Sequence, residues 1–438
     1  MEPETTSNIV RLNPEPVIIP REQHNISRAD ISDNALKVLY RLKNAGFKAY
    51  LVGGAVRDLL LNIKPKDFDV VTDAHPEQIR ELFRNSRLIG RRFRLAHVRY
   101  GDEIIEVSTF RAAHHVEGER HTEQGRIIRD NVYGDIDEDV WRRDFTVNAL
   151  LYNIRDFSVV DYFGGMQDLH ASQLRLIGDP AARYREDPVR MLRAVRFTVK
   201  LSFKMHPDTE KPIFNMDHLL TDISSARLFE EFMKLFMTGQ AHATYRQLRH
   251  FGLLKHLFPD TESSLQAGNN VHFDTLLARV MDSTDSRIIA GKPVTPAFLI
   301  AALLWEPLNV MAEDHKSHGL AEMDAINLAS DAVISHQISS LAIPRRFTRV
   351  SREIWALQSR LKHTRGNRPY RLLSHPRFRA AYDFLLMRSE SGEDVLELAQ
   401  WWTDFMEKNS HLVAEASKPA SNRLQRPRRR RKRRFHRG

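Results

Sequence analysis

Residues 51–72 read LVGGAVRDLLLNIKPKDFDVVT and contain the pattern from which we predict the fold. An apolar run ends at two glycines, a short helical pattern follows, and a second apolar run begins directly at an Asp-x-Asp pair. Because residues i and i+2 of a strand point to the same face, Asp67 and Asp69 are predicted to project side by side while Phe68 faces the core. The stretch therefore predicts a strand, a turn, a helix and a second strand that carries two carboxylates.

The flanking sequence continues this alternation of helices and strands. A helix is predicted to begin with Asp33 as its cap and to end at Gly46. Two later apolar runs form a predicted hairpin that turns at Gly101 and Asp102. Strands are predicted at residues 47–52, 68–72, 96–100 and 103–110. Together these elements predict an α/β head, built as a small mixed sheet with helices.

Helical patterns alone follow Asp179, where Met191, Leu192 and Val195 form part of an apolar stripe at helical spacing. We therefore predict that an all-α neck and body follow the head and that the chain ends in a disordered basic tail. The predicted segments are a flexible extension at 1–30, the head at 31–165, the neck at 166–265, the body at 266–415 and the tail at 416–438.

Composition excludes several classes of protein. The chain has no cysteine, so a disulfide framework and a thiolate metal site are excluded. The N-terminus lacks the pattern of a signal peptide, and the most apolar stretch, residues 297–305, is far shorter than the about 20 residues of a membrane-spanning helix. We therefore expect a soluble, cytoplasmic protein.

The net charge of +10 is concentrated at one end of the chain. Of the 66 Lys and Arg residues, ten lie in residues 423–438, which contain no acid, and the remaining 56 equal the 56 Asp and Glu residues. The tail is either a solvated tether or an arm that holds RNA without sequence preference. The candidate RNA-binding residues are Arg428, Arg429, Arg430, Arg431, Lys432, Arg433 and Arg434.

The glycine pair and the carboxylate pair point to phosphate chemistry. Gly53 and Gly54 lack a Cβ, so backbone N–H groups at the start of the next helix could approach phosphate oxygens. Asp67 and Asp69 repel each other unless a cation neutralises them, and Mg²⁺ binds one or two carboxylates together with substrate phosphates. Each feature alone is more often an ordinary turn or an exposed strand end. Together they predict a two-metal site that activates a hydroxyl against a triphosphate.

A third carboxylate is expected in such a site, and the sequence offers Glu106 and Asp144. On a helix, Asp144 and Asn148 would share a face, and Arg142 or Arg143 could bind phosphates with a guanidinium fork. The same segment could instead be an ion-paired surface helix, because three acidic residues directly precede it. The residues alone leave both candidates open.

Four motifs occur in a fixed order along the chain. Residues 51–72 are followed by RRDFTVNAL at 142–150, DYFGGMQDL at 161–169 and EDPVRMLRAVRF at 186–197. In this order they resemble the motifs of the class II polymerase-β-like nucleotidyltransferases, a family that contains tRNA CCA-adding enzymes and bacterial poly(A) polymerases. The resemblance covers about residues 35–240, roughly half of the chain.

The resemblance implies a role for each motif. Asp67 and Asp69 would ligate the catalytic metal ions, with Asp144 and Glu106 as further active-site carboxylates. The residues implied to bind the nucleotide are Gly53, Gly54, Arg57, Arg142, Arg143 and Asn148 around the triphosphate, and Glu186, Asp187 and Arg190 beside the base. Asp161, Gly164, Gly165 and Asp168 would form a flexible connection between head and neck. By its residues alone, the last motif equally fits an amphipathic helix with a Glu186–Arg190 ion pair.

Three further stretches are similar to the poly(A) polymerase branch of the family: LIGRRFRLAHV at 88–98, SARLFEE at 225–231 and the arginine-rich tail. This branch implies template-independent addition of AMP from ATP to the 3′ ends of mRNA and other transcripts, with Mg²⁺ as cofactor. Association with RNA-degrading machinery is an open candidate. The alternatives are CCA addition to tRNA and a non-catalytic RNA-binding adaptor. The intact pair of Asp67 and Asp69 argues against the adaptor, because unneutralised carboxylates repel each other.

Overall fold

The computed structural model describes residues 15–90, 94–112, 122–123, 126–127 and 132–411. Contacts divide the chain into two compact units, one that runs up to Asp222 and one that begins at Ile223. The predicted α/β head followed by helices is confirmed. The basic tail, with its basic residues 428–434, lies outside the described residues, so its disorder and RNA binding remain predictions, as do the boundaries between the five segments.

The first unit is built on an eight-stranded mixed sheet with the strand order β1-β10-β9-β2-β3-β6-β5-β4. Strands β3 and β6 are parallel, and all other neighbouring strands are antiparallel. Strands β7 and β8 pair with each other, as do β11 and β12. The strands are β1 (Val17–Ile19), β2 (Ala49–Val52), β3 (Asp69–Thr72), β4 (Ser86–Ile89), β5 (Leu95–Tyr100), β6 (Glu103–Thr109), β7 (Thr122–Glu123), β8 (Arg126–Ile127), β9 (Leu151–Asn153), β10 (Val159–Asp161), β11 (Gln173–Leu174) and β12 (Lys204–Met205).

One edge of the sheet differs from the sequence prediction. Residues 1–30 were predicted to be a flexible extension, but Val17–Ile19 pair with β10 as the edge strand β1. Three consecutive β-branched residues favour a strand, and Ile19 is buried. The prolines on either side of this short run hid it from a prediction based on composition.

The described part of the first unit also contains nine α-helices. They are α1 (Asp33–Asn44), α2 (Gly54–Leu60), α3 (Pro76–Leu82), α4 (Ile136–Trp141), α5 (Gly165–His170), α6 (Pro180–Glu186), α7 (Val189–Leu201), α8 (Pro207–Glu210) and α9 (Ile213–Met216). Helix α1 buries Val38, Leu39 and Leu42. Its cap is Ser32, whose side chain accepts a hydrogen bond from the backbone N–H of Ala35, so the prediction of Asp33 as the cap is wrong by one residue. A cap residue needs a non-helical backbone, and Asp33 is already helical.

The described part of the second unit is entirely helical. Its helices are α10 (Ser225–Phe236), α11 (Ala241–His250), α12 (Leu254–Leu257), α13 (Pro259–Ala267), α14 (Phe273–Ile289), α15 (Pro296–Leu303), α16 (Trp305–Ser317), α17 (Glu322–Ser340), α18 (Arg345–Leu361), α19 (Arg368–Leu373), α20 (Phe378–Glu390) and α21 (Leu396–Lys408). Trp355 and Trp402 are fully buried, and each indole N–H donates to a backbone carbonyl. Among the described helices, none is both long and apolar enough to cross a lipid bilayer.

Candidate active site

Strand register brings two carboxylates together at one place in the sheet. Asp69 is the first residue of β3, opposite Val52 of β2 and beside Glu106 in the parallel pairing of β3 with β6. Asp67 lies two residues before the start of the strand. Phe68 is buried whereas Asp67 and Asp69 are exposed, as the Asp-x-Asp spacing predicts. The predicted pair therefore lies at the start of β3, next to Glu106.

A cleft with a volume of about 290 Å³ opens at these carboxylates. It is lined by three carboxylates, Asp69, Glu106 and Asp139, and by three arginines, Arg111, Arg142 and Arg143. Its remaining lining residues are Val52, Leu95 and Ser108. A ligand that combines a divalent cation with phosphate groups complements both kinds of side chain.

The carboxylate of Asp69 is poorly compensated in the cleft. Asp69 keeps solvent-exposed surface, but burial by the cleft walls, followed by the negative charge of Glu106, raises its pKa to about 6. Arg143 acts in the opposite direction and Asp67 adds a smaller increase. Among the described residues, no group of three or more His, Asp or Glu side chains forms a metal-binding cluster. The excess of carboxylate oxygens around Asp69 fits a hard cation, which would draw further ligands from a substrate.

Arg143 is held in place by Asp139. Nη2 of Arg143 lies 2.8 Å from Oδ2 of Asp139, and the other oxygen of Asp139 accepts a hydrogen bond from the backbone N–H of Arg111. Nε of Arg143 is buried without a hydrogen-bond partner among the described residues. Burial also lowers the pKa of Arg111, a shift that Asp139 opposes and Arg143 reinforces. Arg111, Arg142 and Arg143 line the same cleft, and their guanidinium groups suit an anionic ligand.

Gly53 adopts a backbone conformation that favours glycine. Its φ of 70° lies in the left-handed region, so a side chain at residue 53 would be strained. A Cβ there would lie 3.8 Å from Nη1 of Arg143, which is an ordinary van der Waals contact. Gly53 precedes the first residue of α2, as the sequence predicts for a turn between strand and helix.

Asp144 lies in a different environment from Asp69. Its Oδ1 accepts hydrogen bonds from the backbone N–H of Phe145 and from Nδ2 of Asn148, at 2.9 and 3.1 Å. Its Oδ2 accepts from Nε of Arg193 at 2.8 Å and also from Nη2. Burial alone would raise the pKa of Asp144, but the charge and hydrogen bonds of Arg193, with those of Asn148 and Phe145, lower it. Its carboxylate is thus committed to protein partners.

The secondary structure around Asp144 also differs from the prediction. Helix α4 ends at Trp141, and residues Thr146–Asn148 form a single 3-10 turn. The prediction that Asp144 and Asn148 share a helix face is therefore wrong, although their side chains do meet. The acidic residues belong to α4, which ends at Trp141, so Asp144 lies beyond the helix. There its carboxylate meets Arg193 of α7.

Arg57 extends the same network away from the cleft. The side chain is 1% exposed, and its three nitrogen atoms donate to Oδ1 of Asp58 and to Oδ1 of Asn148. Asn148 thereby links Arg57 to Asp144. This arrangement gives no support to the prediction that Arg57 contacts the triphosphate. It joins α2 to the segment that carries Asp144.

Glu186 and Arg190 form the predicted ion pair at 2.8 Å, and Glu186 also accepts from Arg183 at 2.8 Å. They do not share one helix, because α6 ends at Glu186 and α7 begins at Val189, with Pro188 between them. Arg183 donates to the backbone carbonyls of Trp141 and Arg143. Burial, followed by the charge of Arg190, lowers the pKa of Arg183 to about 10. The candidate base-binding residues are therefore fixed to the segment that carries Arg143.

The glycine motif at residues 161–169 forms a tightly bonded turn. Asp161 accepts hydrogen bonds from the backbone N–H groups of Phe163, Gly165 and Met166. A Cβ on Gly165 would lie 2.5 Å from the carbonyl oxygen of Thr146, so only glycine fits. Asp168 accepts from the hydroxyl of Thr146 at 2.7 Å. The implied flexibility of this motif remains a prediction.

Sequence reasoning missed four arginine and aspartate side chains that shape the site. Arg111 and Asp139 line the cleft, while Arg183 and Arg193 fix neighbouring motifs. Arg111 lies two residues after the strand that carries Glu106, and Arg193 lies three residues after Arg190 in a quoted motif. Arg111 and Arg193 both stand in stretches that the sequence singles out, but the residues that they contact lie in distant parts of the chain.

Comparison with protein families matches three models along the chain. The Poly A polymerase head domain matches residues 49–175, a probable RNA and SrmB-binding site of polymerase A matches 202–265, and the polymerase A arginine-rich C-terminus matches 318–436. The matched head region contains the whole cleft.

Individual relatives differ in how much of the chain they cover. A poly(A) polymerase I of Salmonella typhimurium is 53% identical over 90% of this chain and 86% of its own length. A CCA-adding enzyme of Lactobacillus helveticus is 42% identical, but over 47% of this chain and 50% of its own length. The crystal structure of the Bacillus stearothermophilus CCA-adding enzyme in complex with CTP has a TM-score of 0.57 and 25% identity, covering 87% of this chain and 82% of that one.

Proposed function

This chain belongs to the poly(A) polymerase family and polyadenylates RNA without a template, and we propose that it does so with ATP in the cleft that Asp69 and Glu106 line. One observation carries the proposal: Asp69, whose pKa is raised, shares a cleft with Glu106 and three arginines. Carboxylates suit the metal ions and arginines suit the triphosphate of one substrate complex.

Mg²⁺ is the proposed cofactor, held by Asp67, Asp69 and Glu106. When bound, the ions would lower the pKa of the RNA 3′-hydroxyl and stabilise charge on the triphosphate. The raised pKa of Asp69 supports this assignment, because a bound cation would offset both the burial and the negative charge of Glu106 that raise it. Glu106 is the third carboxylate in this proposal, since the oxygens of Asp144 are bonded to Arg193, Asn148 and Phe145.

The arginines of the cleft are proposed to hold the triphosphate. Arg143 is aimed by Asp139 and retains a buried Nε for a ligand oxygen, and Arg142 and Arg111 line the same wall. The 3′-oxygen of the RNA would form a bond to the α-phosphorus as the bond to pyrophosphate breaks. The arginines would stabilise the charge that develops on the leaving pyrophosphate.

Base selection is proposed to rest on Glu186, Asp187 and Arg190. A base edge is read by fixed donors and acceptors, and the double ion pair of Glu186 with Arg183 and Arg190 fixes this group. Arg183 also donates a hydrogen bond to the backbone carbonyl of Arg143, so the proposed base-reading and phosphate-binding groups keep a constant distance and orientation. Such a fixed relation allows one nucleotide to be chosen without a template.

Incubation with single nucleotides tests the function. The purified protein, Mg²⁺ and an unstructured RNA primer are incubated with ATP, CTP, GTP or UTP separately. We expect long ladders with ATP alone, and Asp69→Asn serves as the inactive control. Extension by three nucleotides that requires CTP and a tRNA would contradict the proposal.

CCA addition to tRNA is the second candidate function. The observation in its favour is that a CCA-adding relative shares 42% identity over 47% of the chain. The poly(A) polymerase relatives extend over 90% of the chain, and this difference favours polyadenylation.

RNA 3′ ends are the proposed partner of the whole chain. The family matches to an RNA-binding site and to an arginine-rich C-terminus support this proposal. Deletion of residues 423–438 is expected to weaken primer binding and flatten its salt dependence, because ten basic residues are removed. Primer affinity measured from low to high salt checks this expectation, and an unchanged slope refutes it. A role with RNA-degrading machinery remains a prediction.

A further inference from the structure

A second basic segment lies within the folded part of the second unit. Residues 354–382 contain no Asp or Glu and seven basic residues: Arg360, Lys362, Arg365, Arg368, Arg371, Arg377 and Arg379. The neutral sum over residues 1–422 conceals this local excess. Where basic side chains on a folded surface are not paired with acidic ones, they create a positive potential that attracts polyanions.

Six of the seven basic residues of this segment fall into two groups, and the seventh, Arg360, is exposed. Lys362, Arg377 and Arg379 pair with Glu322, Glu353 and Asp383 at 2.6, 3.1 and 2.9 Å. By contrast, the guanidinium groups of Arg365, Arg368 and Arg371 are exposed and form no ion pair or hydrogen bond with any described residue. Their charge is therefore fully available to a ligand.

Helix α19 fixes three members of this surface. Pro369, Leu372 and Leu373 are buried, and the two leucines belong to the apolar core that contains Trp402. The remaining positions, Arg368, Tyr370 and Arg371, consequently point away from the core. The surface is thus presented by an anchored helix, which limits the entropy lost on binding.

Tyr370 supplies an aromatic ring among the arginines. It is 47% exposed, and its ring meets the ring of Phe405 edge-on with centroids 5.0 Å apart. The edge contact with Phe405 holds the ring, while its exposed part remains open to solvent. An exposed aromatic ring between unpaired arginines is the combination that binds single-stranded nucleic acid, because bases stack on the ring and phosphates meet the guanidinium groups.

We propose that Arg365, Arg368, Tyr370 and Arg371 form a second RNA-binding surface that holds unstructured primer. The proposal rests on the proposed function only in taking RNA as the ligand. An acidic protein segment would satisfy the arginines but would not require the tyrosine ring, so the exposed ring favours RNA.

The arginines are tested by RNA binding in the absence of ATP and metal ions. Fluorescence anisotropy follows a labelled, unstructured RNA on the full-length chain across a range of salt concentrations. In the variant Arg365→Ala/Arg368→Ala/Arg371→Ala we expect affinity to fall about tenfold at low salt, and the salt slope to fall by about 2, since each phosphate contact contributes about 0.7.

The matched control removes three basic residues of the same unit that are exposed or partly exposed and paired with acids. Arg279→Ala/Lys316→Ala/Arg352→Ala changes the net charge equally, and its residues pair with Glu390, Glu313 and Asp331. We expect this control to bind RNA with nearly wild-type affinity. Equal losses in the two triple variants would overturn the proposal, because the effect would then come from net charge alone.

The ring is tested by Tyr370→Ala and Tyr370→Phe. Stacking of one base is expected to make RNA affinity at least about fivefold weaker in Tyr370→Ala, whereas Tyr370→Phe keeps the affinity. A thermal unfolding midpoint equal to that of the wild type shows that Tyr370→Ala still folds. Unchanged RNA binding by Tyr370→Ala, together with loss of polyglutamate binding in the triple variant, would identify an acidic protein ligand and overturn the proposal. Because no ATP is present, these results stand apart from any failure of AMP incorporation.

Discussion

Asp69 and Asp144 lie in the same unit, and their surroundings differ in almost every respect. Asp69 begins a strand beside Glu106, with burial and like charge raising its pKa to about 6. Asp144 accepts hydrogen bonds from Arg193, Asn148 and the Phe145 backbone, which lower its pKa. The carboxylate of Asp69 has too little positive charge around it, whereas both oxygens of Asp144 already accept hydrogen bonds from the protein.

This difference separates binding a ligand from building the site. A carboxylate that remains undercompensated in the protein gains most from a cation, whereas one already paired gains little. The network of Asp144 connects α7, through Arg193, to the segment between Arg142 and Asn148 and onward to Arg57 on α2. We therefore interpret Asp144 as a positioning residue and Asp69 as the residue that contacts the metal ions.

The largest expected effect is on turnover at Asp69. The substitution Asp69→Asn keeps the shape of the side chain but removes the charge that holds the cation. We expect AMP incorporation at saturating ATP and primer to fall by about 10³-fold or more, since a metal ion supplies several kcal/mol of charge stabilisation. Near wild-type turnover in a folded Asp69→Asn protein would break the distinction between the two aspartates.

The next effect is on stability at Asp144. Its replacement in Asp144→Ala leaves the Arg193 guanidinium without its buried partner, and we expect the free energy of unfolding to fall by about 3 kcal/mol. Urea denaturation measures this change, with Asp69→Ala as the matched control. The control should be as stable as the wild type or more so, because it removes a repulsive charge. An equal loss in both variants would contradict the assignment.

A smaller effect is expected at Glu106. Glu106→Gln removes one of the proposed metal-binding carboxylates, but Asp67 and Asp69 remain. We expect turnover to fall by about tenfold to a hundredfold, with the Mg²⁺ requirement shifted to higher concentration. Turnover is also expected to fall further in Asp144→Ala than in Glu106→Ala, because the first change disturbs the whole network. Turnover measured over a Mg²⁺ titration checks this order. A larger loss in Glu106→Ala than in Asp144→Ala would contradict it.

The smallest effect concerns pH and the metal-free protein. Since the pKa of Asp69 is raised to about 6 in the folded state, its stabilising contribution is present at low pH and is lost as the pH rises through about 6. Wild-type protein should therefore lose stability relative to Asp69→Asn between pH 5 and pH 7. The pKa of Asp144 is lowered, so its contribution is lost only at more acidic pH. The stability difference between wild type and Asp144→Asn should stay constant over the same interval.

Local sequence patterns predicted the strands and turns of the head well. The spacing of Asp67 and Asp69 around buried Phe68, the glycine turn before α2 and most strand positions depend on neighbouring residues, which is why they could be read from the chain. The cap of α1 was misplaced by one residue, because Ser32 and Asp33 are both good caps and the backbone decides between them.

Long-range partners could not be read from the sequence. Arg193 lies 49 residues from Asp144, and Glu106 lies on a strand that pairs in parallel with β3 only after folding. The surface around Tyr370 was missed for a related reason: summing charges over the body gave neutrality, while the fold separates paired from unpaired arginines.

Mn²⁺ binding to the metal-free protein tests the distinction between Asp69 and Asp144 most directly. Free Mn²⁺ is followed by electron paramagnetic resonance as the ion is titrated into wild type, Asp69→Asn and Asp144→Asn, each checked for folding by thermal unfolding. We predict that Asp144→Asn binds Mn²⁺ nearly as tightly as the wild type and that affinity falls at least about tenfold in Asp69→Asn. Loss of Mn²⁺ binding in folded Asp144→Asn, with binding retained in Asp69→Asn, would contradict the account.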